Sequence, residues 1–489
     1  LYKAKEAFMR RASLLFAATV LSVTAQYAAA APATPAEADR IRSSFENYLG
    51  NGVGSGVSPV SVTPIGESYA VSIDIAQLVR PLAALGFSLQ AAPVSMTLTP
   101  QADGMWRVLQ TAMPEMQIRI KDQDMKFRID GYAFDGLYDP KMMAFVVAKS
   151  GQSASILEGS TPQLLNTRRD GPTRVEITGT SSGPGIVSAI MRGQTDTHSQ
   201  TFKLMAGANP IEFAMTMGPI STDVTIDSFR NSAVLDLWAF LVANASEAAL
   251  MAKAEDIKAK VRAAFPVFAV TSQNSKIRTL AVTTPVGTFG VKEATVGLRL
   301  TGVQRDGDSA VRLGLNGITV PDLLMLPPWS RDLLPSDFLL DLQAKGYDLQ
   351  EAFEIGLNAI REGSTPAESE AAGRRAVFAL APPGKVKITM GPSQIVSKLL
   401  AISMEGEMTI IQPIPKGRLV MRARGVDQTI AALQVSATTD RSVQQVLMFL
   451  IGAKGFGKAE PDGSLSWLIE NPDGGIPTIN GVSIPGMGR

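Results

Sequence analysis

Few side chains in this chain could do chemistry. His198 is the only histidine among 489 residues, and there is no cysteine. A Cys–His nucleophilic pair and a histidine-rich zinc site are therefore excluded. A Ser–His–Asp triad would need His198 as its base. It sits in Gly193-Gln194-Thr195-Asp196-Thr197-His198-Ser199, a polar turn-like stretch that reads as surface, and no Gly-x-Ser-x-Gly elbow accompanies it. Asp337 and Asp341 lie four apart on an expected strand and share a face, an arrangement that carboxylate-based glycoside hydrolysis could use. The same spacing equally makes the wet side of Phe338-x-Leu340-x-Leu342. Asp130-Gly131, Asp135-Gly136 and Asp139-Pro140 lack the Asp-x-Asp-x-Asp-Gly order of a calcium loop and read as turns. The glycine-rich stretches 50–56 and 179–185 lack both a P-loop ending and the dinucleotide fingerprint. The expectation is a protein without enzymatic activity, cofactor or metal.

The apolar residues carry a clearer pattern. Tyr69-x-Val71-x-Ile73, Val94-x-Met96-x-Leu98, Met116-x-Ile118-x-Ile120 and Met125-x-Phe127-x-Ile129 step by two, as strands with one buried face do. Val296-x-Leu298-x-Leu300, Val311-x-Leu313-x-Leu315 and Leu419-x-Met421 repeat that texture in the second half. Residues 35–48 read as a helix that ends at Gly50-Asn51-Gly52. Residues 233–265 read as one long amphipathic helix stopped by Pro266. Its apolar stripe holds Trp238, Val242, Ile257, Val261 and Phe265, the candidate contacts for an apolar ligand. Short helices are expected at 349–360, 393–400 and 442–451, and a solvated loop or helix start at 362–375. The fold class is then α+β, mainly β. Two halves of consecutive antiparallel β-hairpins form extended curved sheets, with the long helix near the middle. The methionines near the strands, such as Met215, Met217, Met404 and Met408, suit either core gap-filling or an adaptable apolar surface.

Composition and the first residues set the compartment. Arg10-Arg11, an apolar run of about fourteen residues and Ala28-x-Ala30 are the three parts of a secretory signal peptide. The run falls short of the roughly twenty apolar residues that a spanning helix needs. Cleavage after Ala30 is expected, with residues 1–8 an upstream extension before Met9. No transmembrane anchor then remains, and the mature protein is periplasmic. The removed segment holds Lys3, Lys5, Arg10 and Arg11 against Glu6, so the net charge of +1 becomes about −2. That balance excludes a nucleic-acid partner, which would call for a basic excess. The expected organisation is 1–30 signal, 31–230 a first β-rich half, and 231–489 the helix with a second β-rich half.

Three stretches resemble known proteins. They are Phe265-Pro266-Val267-Phe268 through the Thr284-Pro285-Val286-Gly287 turn, Leu334 to Leu342, and Gly455 to Trp467 with Ile479-Asn480-Gly481-Val482 beyond. Over residues 230–489 the chain resembles an uncharacterised family of exported bacterial proteins built on a domain of unknown function. That family is distantly similar to YdgA-like and AsmA-like cell-envelope proteins. The resemblance implies long curved β-sheets with an apolar groove, and a role in lipid movement or outer-membrane maintenance. The chain departs from that pattern by lacking the usual N-terminal anchor. The partners expected are a lipid or an outer-membrane or envelope protein, with a protein–protein scaffold or a carboxylate-based hydrolase as the alternatives.

Overall fold

A computed structural model describes residues 32–50, 58–205, 210–244, 246–321, 327–359, 365–411, 415–437, 441–471 and 476–483. The signal segment and the glycine joint after Gly50 lie outside them. Strand predominates, at 52% against 25% helix, so the mainly β class is correct. The chain forms two compact units. The first runs to Thr271 and includes residues 357–365; the second comprises residues 272–356 and 366–489. The boundary thus follows the helical stretch at 231–265 instead of preceding it.

The first unit opens with α1 (Pro35–Leu49). Thr34 caps it, its hydroxyl accepting the amide of Glu37 at 3.2 Å, and Pro35 occupies the first turn. Ala38, Ile41, Phe45 and Tyr48 recur at helical spacing and are all buried. Eight strands follow: β1 (Val60–Ile65), β2 (Ser68–Ile73), β3 (Phe87–Ala91), β4 (Val94–Pro100), β5 (Trp106–Gln110), β6 (Met116–Ile120), β7 (Gln123–Asp130) and β8 (Ala133–Asp139). Next come β9 (Ala144–Gln152), β10 (Ala154–Thr161), β11 (Leu164–Asp170), β12 (Thr173–Gly183), β13 (Ile186–Thr195), β14 (His198–Leu204), β15 (Ile211–Met217) and β16 (Ile220–Phe229).

These strands do not pair as one meander. One antiparallel ladder runs β1-β2-β4-β5-β8-β9-β12-β13-β16. A second runs β3-β6-β7-β10-β11-β14-β15. From β4 onward the chain leaves its ladder after every hairpin. From β7 onward it does so across one or two residues, so that β7 passes into β8, β9 into β10 and β11 into β12. Asp130-Gly131, which reads as a hairpin turn in the sequence, is one of these crossings. Gly171-Pro172 is another, and a proline there has no N–H to extend a ladder. Hydrogen bonds tie the crossings together, from Ser153 N to Asp130 O and from Gly171 N to Thr197 O, both 2.9 Å.

The core of this unit lies where α1 covers the first ladder. Ile41 and Phe45 meet Val71, Ile73, Leu98, Trp106 and Tyr138 there. The opposite face of that ladder is wet and charged in alternation. Asp135 faces Lys149, Lys149 faces Glu176, Glu176 faces Arg192 and Arg192 faces Asp223, strand after strand. Each such exposed pair is worth only about 0.2–1 kcal/mol, so the row keeps that face solvated more than it holds the fold.

The long helix expected at 233–265 is a correction: it is three helices, α2 (Asn231–Ala243), α3 (Glu247–Ala252) and α4 (Ala254–Ala264). The side-chain amide of buried Asn244 turns back to the carbonyl of Phe240 at 2.8 Å and ends α2. A continuous helix would have to find one long partner for its stripe. Broken, α2 and α4 pack on each other.

In the second unit the order is simpler. After β17 (Val270–Thr284), the strands β18 (Gly287–Thr301), β19 (Gly307–Thr319), β20 (Asp337–Tyr347), β21 (Lys387–Val396), β22 (Ala401–Thr409) and β23 (Lys416–Arg424) follow, and then β24 (Leu465–Asn471). From β18 each of these pairs with the next, all antiparallel. The helix expected at 349–360 is α5 (Leu349–Asn358), and the polar run at 362–375 leads into α6 (Pro366–Leu380). The helix expected at 442–451 is α8 (Arg441–Phe456), preceded by α7 (Val426–Ala437), which the sequence reading missed. The helix expected at 393–400 is a second correction, because its first residues belong to β21. Strand partners on both sides of β21 override the helix-start signal of Pro392-Ser393.

Replacing fully buried Ile41 by Ala should cost about 2–5 kcal/mol, whereas Arg192→Ala should cost less than about 1 kcal/mol. Urea unfolding monitored by tryptophan fluorescence measures both.

Candidate functional site

The feature in the second unit that offers a surface for a ligand is one face of the β18–β24 meander. Register places Val296, Leu313 and Leu340 in line, and likewise Leu298, Val311, Leu342 and Met390. The face continues through Met404 beside Met421, and through Ile402 beside Ala423 and Leu465. An extra residue in β21 keeps it continuous. Between Met390 and Ser393 the strand bulges, and Ser393, itself fully buried, accepts the Asp341 amide at 3.1 Å and donates to Gly391 O at 3.1 Å.

One end of this face is covered. Val426 and Ile430 of α7 pack on Ala423, Ile402 and Leu465, and the Trp467 indole donates to the Ala453 carbonyl of α8 at 2.7 Å. Elsewhere the side chains stay half-buried, and Val296, Val311 and Met408 are 37%, 43% and 36% exposed. The reverse face carries the charges: Arg312 near Asp341 at 4.0 Å, Arg422 on Glu405 at 3.1 Å and Arg418 near Glu470 at 3.7 Å.

The carboxylates read from sequence fall on that reverse face. Asp337 accepts from the side-chain amide of Asn316 at 2.6 Å and from the Ser336 hydroxyl at 2.8 Å, so it closes a turn. Four residues along a strand separate Asp337 from Asp341 by about 13 Å. A glycosidase pair works at about 5–9.5 Å, so these two do not form one. The expected acidic loop is also dispersed. Asp135 pairs with Arg107, which holds its carboxyl below the usual range, and Asp139 accepts the amide of Lys141. Among the described residues there is no cluster of metal-ligating side chains.

His198 is a further correction. It is buried, not at the surface, and its Nδ1 lies 2.6 Å from Asp170 Oδ1. Ser155 is near, but its hydroxyl donates to Asp170 Oδ2 at 3.1 Å and not to the imidazole. A triad needs its nucleophile on Nε2, and here the serine sits on the wrong member. No local signal announces this burial, because Asp170 and His198 meet only through the β11–β14 pairing.

The five apolar candidates are placed by the broken helix. Trp238 is half-buried, and its indole donates to the Tyr48 carbonyl at 2.8 Å, anchoring α2 to the end of α1. Val242, also on α2, packs near Gly50. Ile257 and Val261 lie on α4 and Phe265 caps its end. All five are half-buried in the first unit. The structure does not gather them on one sheet face, and the meander face above went unnoticed as a unit because its residues come from seven separate segments.

No protein-family model, curated protein or solved structure matches the chain. Among the described residues, no helix is long and apolar enough to cross a membrane.

Replacing Asp170 by Ala strips His198 of its partner and should cost about 1–3 kcal/mol. Asp341→Asn should stay within about 0.5 kcal/mol; differential scanning calorimetry separates the two.

Proposed function

We propose that this is a non-enzymatic periplasmic protein of the cell envelope that holds the acyl chains of a lipid on the apolar face of its second unit. The observation that carries the reading is the register-kept row of aliphatic and methionine side chains from β18 to β24, half-buried along most of its width. Six strand intervals at about 4.8 Å span roughly 29 Å. An extended acyl chain fills about half of a 30 Å bilayer core, so the face is wide enough. Met390 and Met404 add side chains that adapt to a mobile chain. Each buried methylene contributes about 0.8 kcal/mol, against at least about 4 kcal/mol lost on association. Chains of only a few carbons are then held weakly, and full-length ones well.

Native mass spectrometry of the protein purified from the periplasm of its native host should show acyl-chain adducts. Met404→Glu should remove them, and palmitate should displace them at least tenfold better than octanoate. An empty wild-type protein overturns the reading.

A second reading, an envelope scaffold, is favoured by one feature: Val435 of α7 and Met448 and Phe449 of α8 are 77%, 71% and 73% exposed. A photo-crosslinker at position 449 should then capture an envelope protein in cells. Recovery of lipid alone speaks against the scaffold.

A further inference from the structure

The two ends of the apolar face in the second unit differ in chemistry. At the end that α7 and α8 cover, register sets Leu465, Ala423, Ile402, Ile395, Phe338 and Leu315 in one row. From that row β19 runs back through Leu313 and Val311 to Ser309, and β20 runs on through Leu340, Leu342 and Ala344. Beyond Ala344 the β20 strand takes one extra residue, with Gly346 at φ 78°. This bulge returns Tyr347 to the same face, opposite Gly307. A Cβ on Gly307 would fall 2.0 Å from the Tyr347 ring, so only glycine lets the ring lie there.

Ser309 and Tyr347 are the first polar side chains along this line, and Thr301 at the end of β18 joins them. The Tyr347 hydroxyl is hydrogen-bonded to the Ser309 hydroxyl and, at 3.3 Å, to that of Thr301. Thr301 Oγ1 also accepts the Asp308 amide at 2.9 Å. Three hydroxyls bring three protons, and the two links between them use two. Burial decides where the third stands. Thr301 is 8% exposed, whereas Ser309 and Tyr347 are half-buried. A proton without an acceptor is costly on a buried atom, so Thr301 donates to Tyr347. The unused proton then stands on Ser309 or Tyr347, at the apolar face. The ions nearby are matched: Asp308 accepts from Arg299 at 2.6 Å and from Gln343 at 2.8 Å, with Lys345 its neighbour across the strands. A hydroxyl end beside balanced charge favours an uncharged acceptor.

We infer that this hydroxyl end is a head-group site for the carbonyl oxygen of an acyl ester, and that it sets the direction in which the ligand lies. The O–H of Ser309 or Tyr347 donates to that oxygen, and the chain runs along β19 and β20 toward α7 and α8. Leu315 lies six residues beyond Ser309, about 20 Å of strand. An extended acyl chain occupies about 15 Å, half of a bilayer core, so tail and ester fit between the two ends. The site presupposes the acyl-chain reading of the face, to which it adds a direction and a head-group class.

Methyl palmitate and octadecane, matched in length, separate head group from chain when titrated into the full chain from cyclodextrin. Ser309→Ala combined with Tyr347→Phe should weaken methyl palmitate about fivefold and leave octadecane affinity unchanged. Carbon-13 labelling of the ester carbonyl gives a second readout. Its infrared band should lie lower in the native complex than in octadecane solution, and should move back in the double variant. If that variant does not fold, the band of the native complex decides alone. Equal methyl palmitate affinity in both proteins, or a carbonyl band that does not move, overturns the site, while octadecane binding still upholds the acyl-chain face. A larger loss for palmitate than for methyl palmitate overturns the ester assignment. If neither methyl palmitate nor octadecane binds the native protein, face and site fall together.

Discussion

Ser393 holds the interaction on which the second unit depends. Its hydroxyl takes the Asp341 amide and gives its own proton to Gly391, closing a bulge that adds one residue to β21 relative to both neighbouring strands. Side chains alternate with a period of two, so a one-residue slip exchanges the faces of everything beyond it. Without the extra residue Ile395 would turn to the charged side and Gln394 would enter the apolar one. With it, Met390 and Ile395 stay on the same face as Met404 and Leu340. The continuity of the candidate lipid surface is therefore a matter of register before it is one of composition.

The first unit obeys the same rule by other means. Short crossings such as Gly131-Tyr132 and Gly171-Pro172 end one ladder and begin the next, so hairpins that follow each other in sequence are not neighbours in space. That device places Ser155, Asp170 and His198, from three different strands, in one row. It also separates the work of the two ladders. The first is sealed by α1 over Leu98, Trp106 and Tyr138, where burial pushes the Tyr138 phenol far above its usual range. The second keeps its apolar side chains half-buried and its polar ones knotted around Asp170.

Much of this was legible in the residues. Period-two runs located the strands, Pro35 and Gly50 bracketed α1, and the absence of cysteine together with a lone histidine removed the commonest nucleophilic sites. The helix at 231–264 was legible as apolar stripe but not as three pieces. Its breaks at Asn244 and Lys253 are stabilised by the packing of α2 on α4, which no local signal announces. The residues 393–396 looked like a helix start for the same reason: capping chemistry is local, whereas a strand between two partners is decided by both of them.

Sequence alone determined the mainly β class, the two-faced texture of the strands and the exclusion of cysteine chemistry, since all three follow from residue types at short spacing. Tertiary structure decided which strands are neighbours, and with that which distant residues meet. Asp170 and His198 are 28 residues apart, and Leu313 and Met421 more than a hundred. Only ladder pairing brings such residues together, because alternation sets which side a residue takes but not which strand lies beside it.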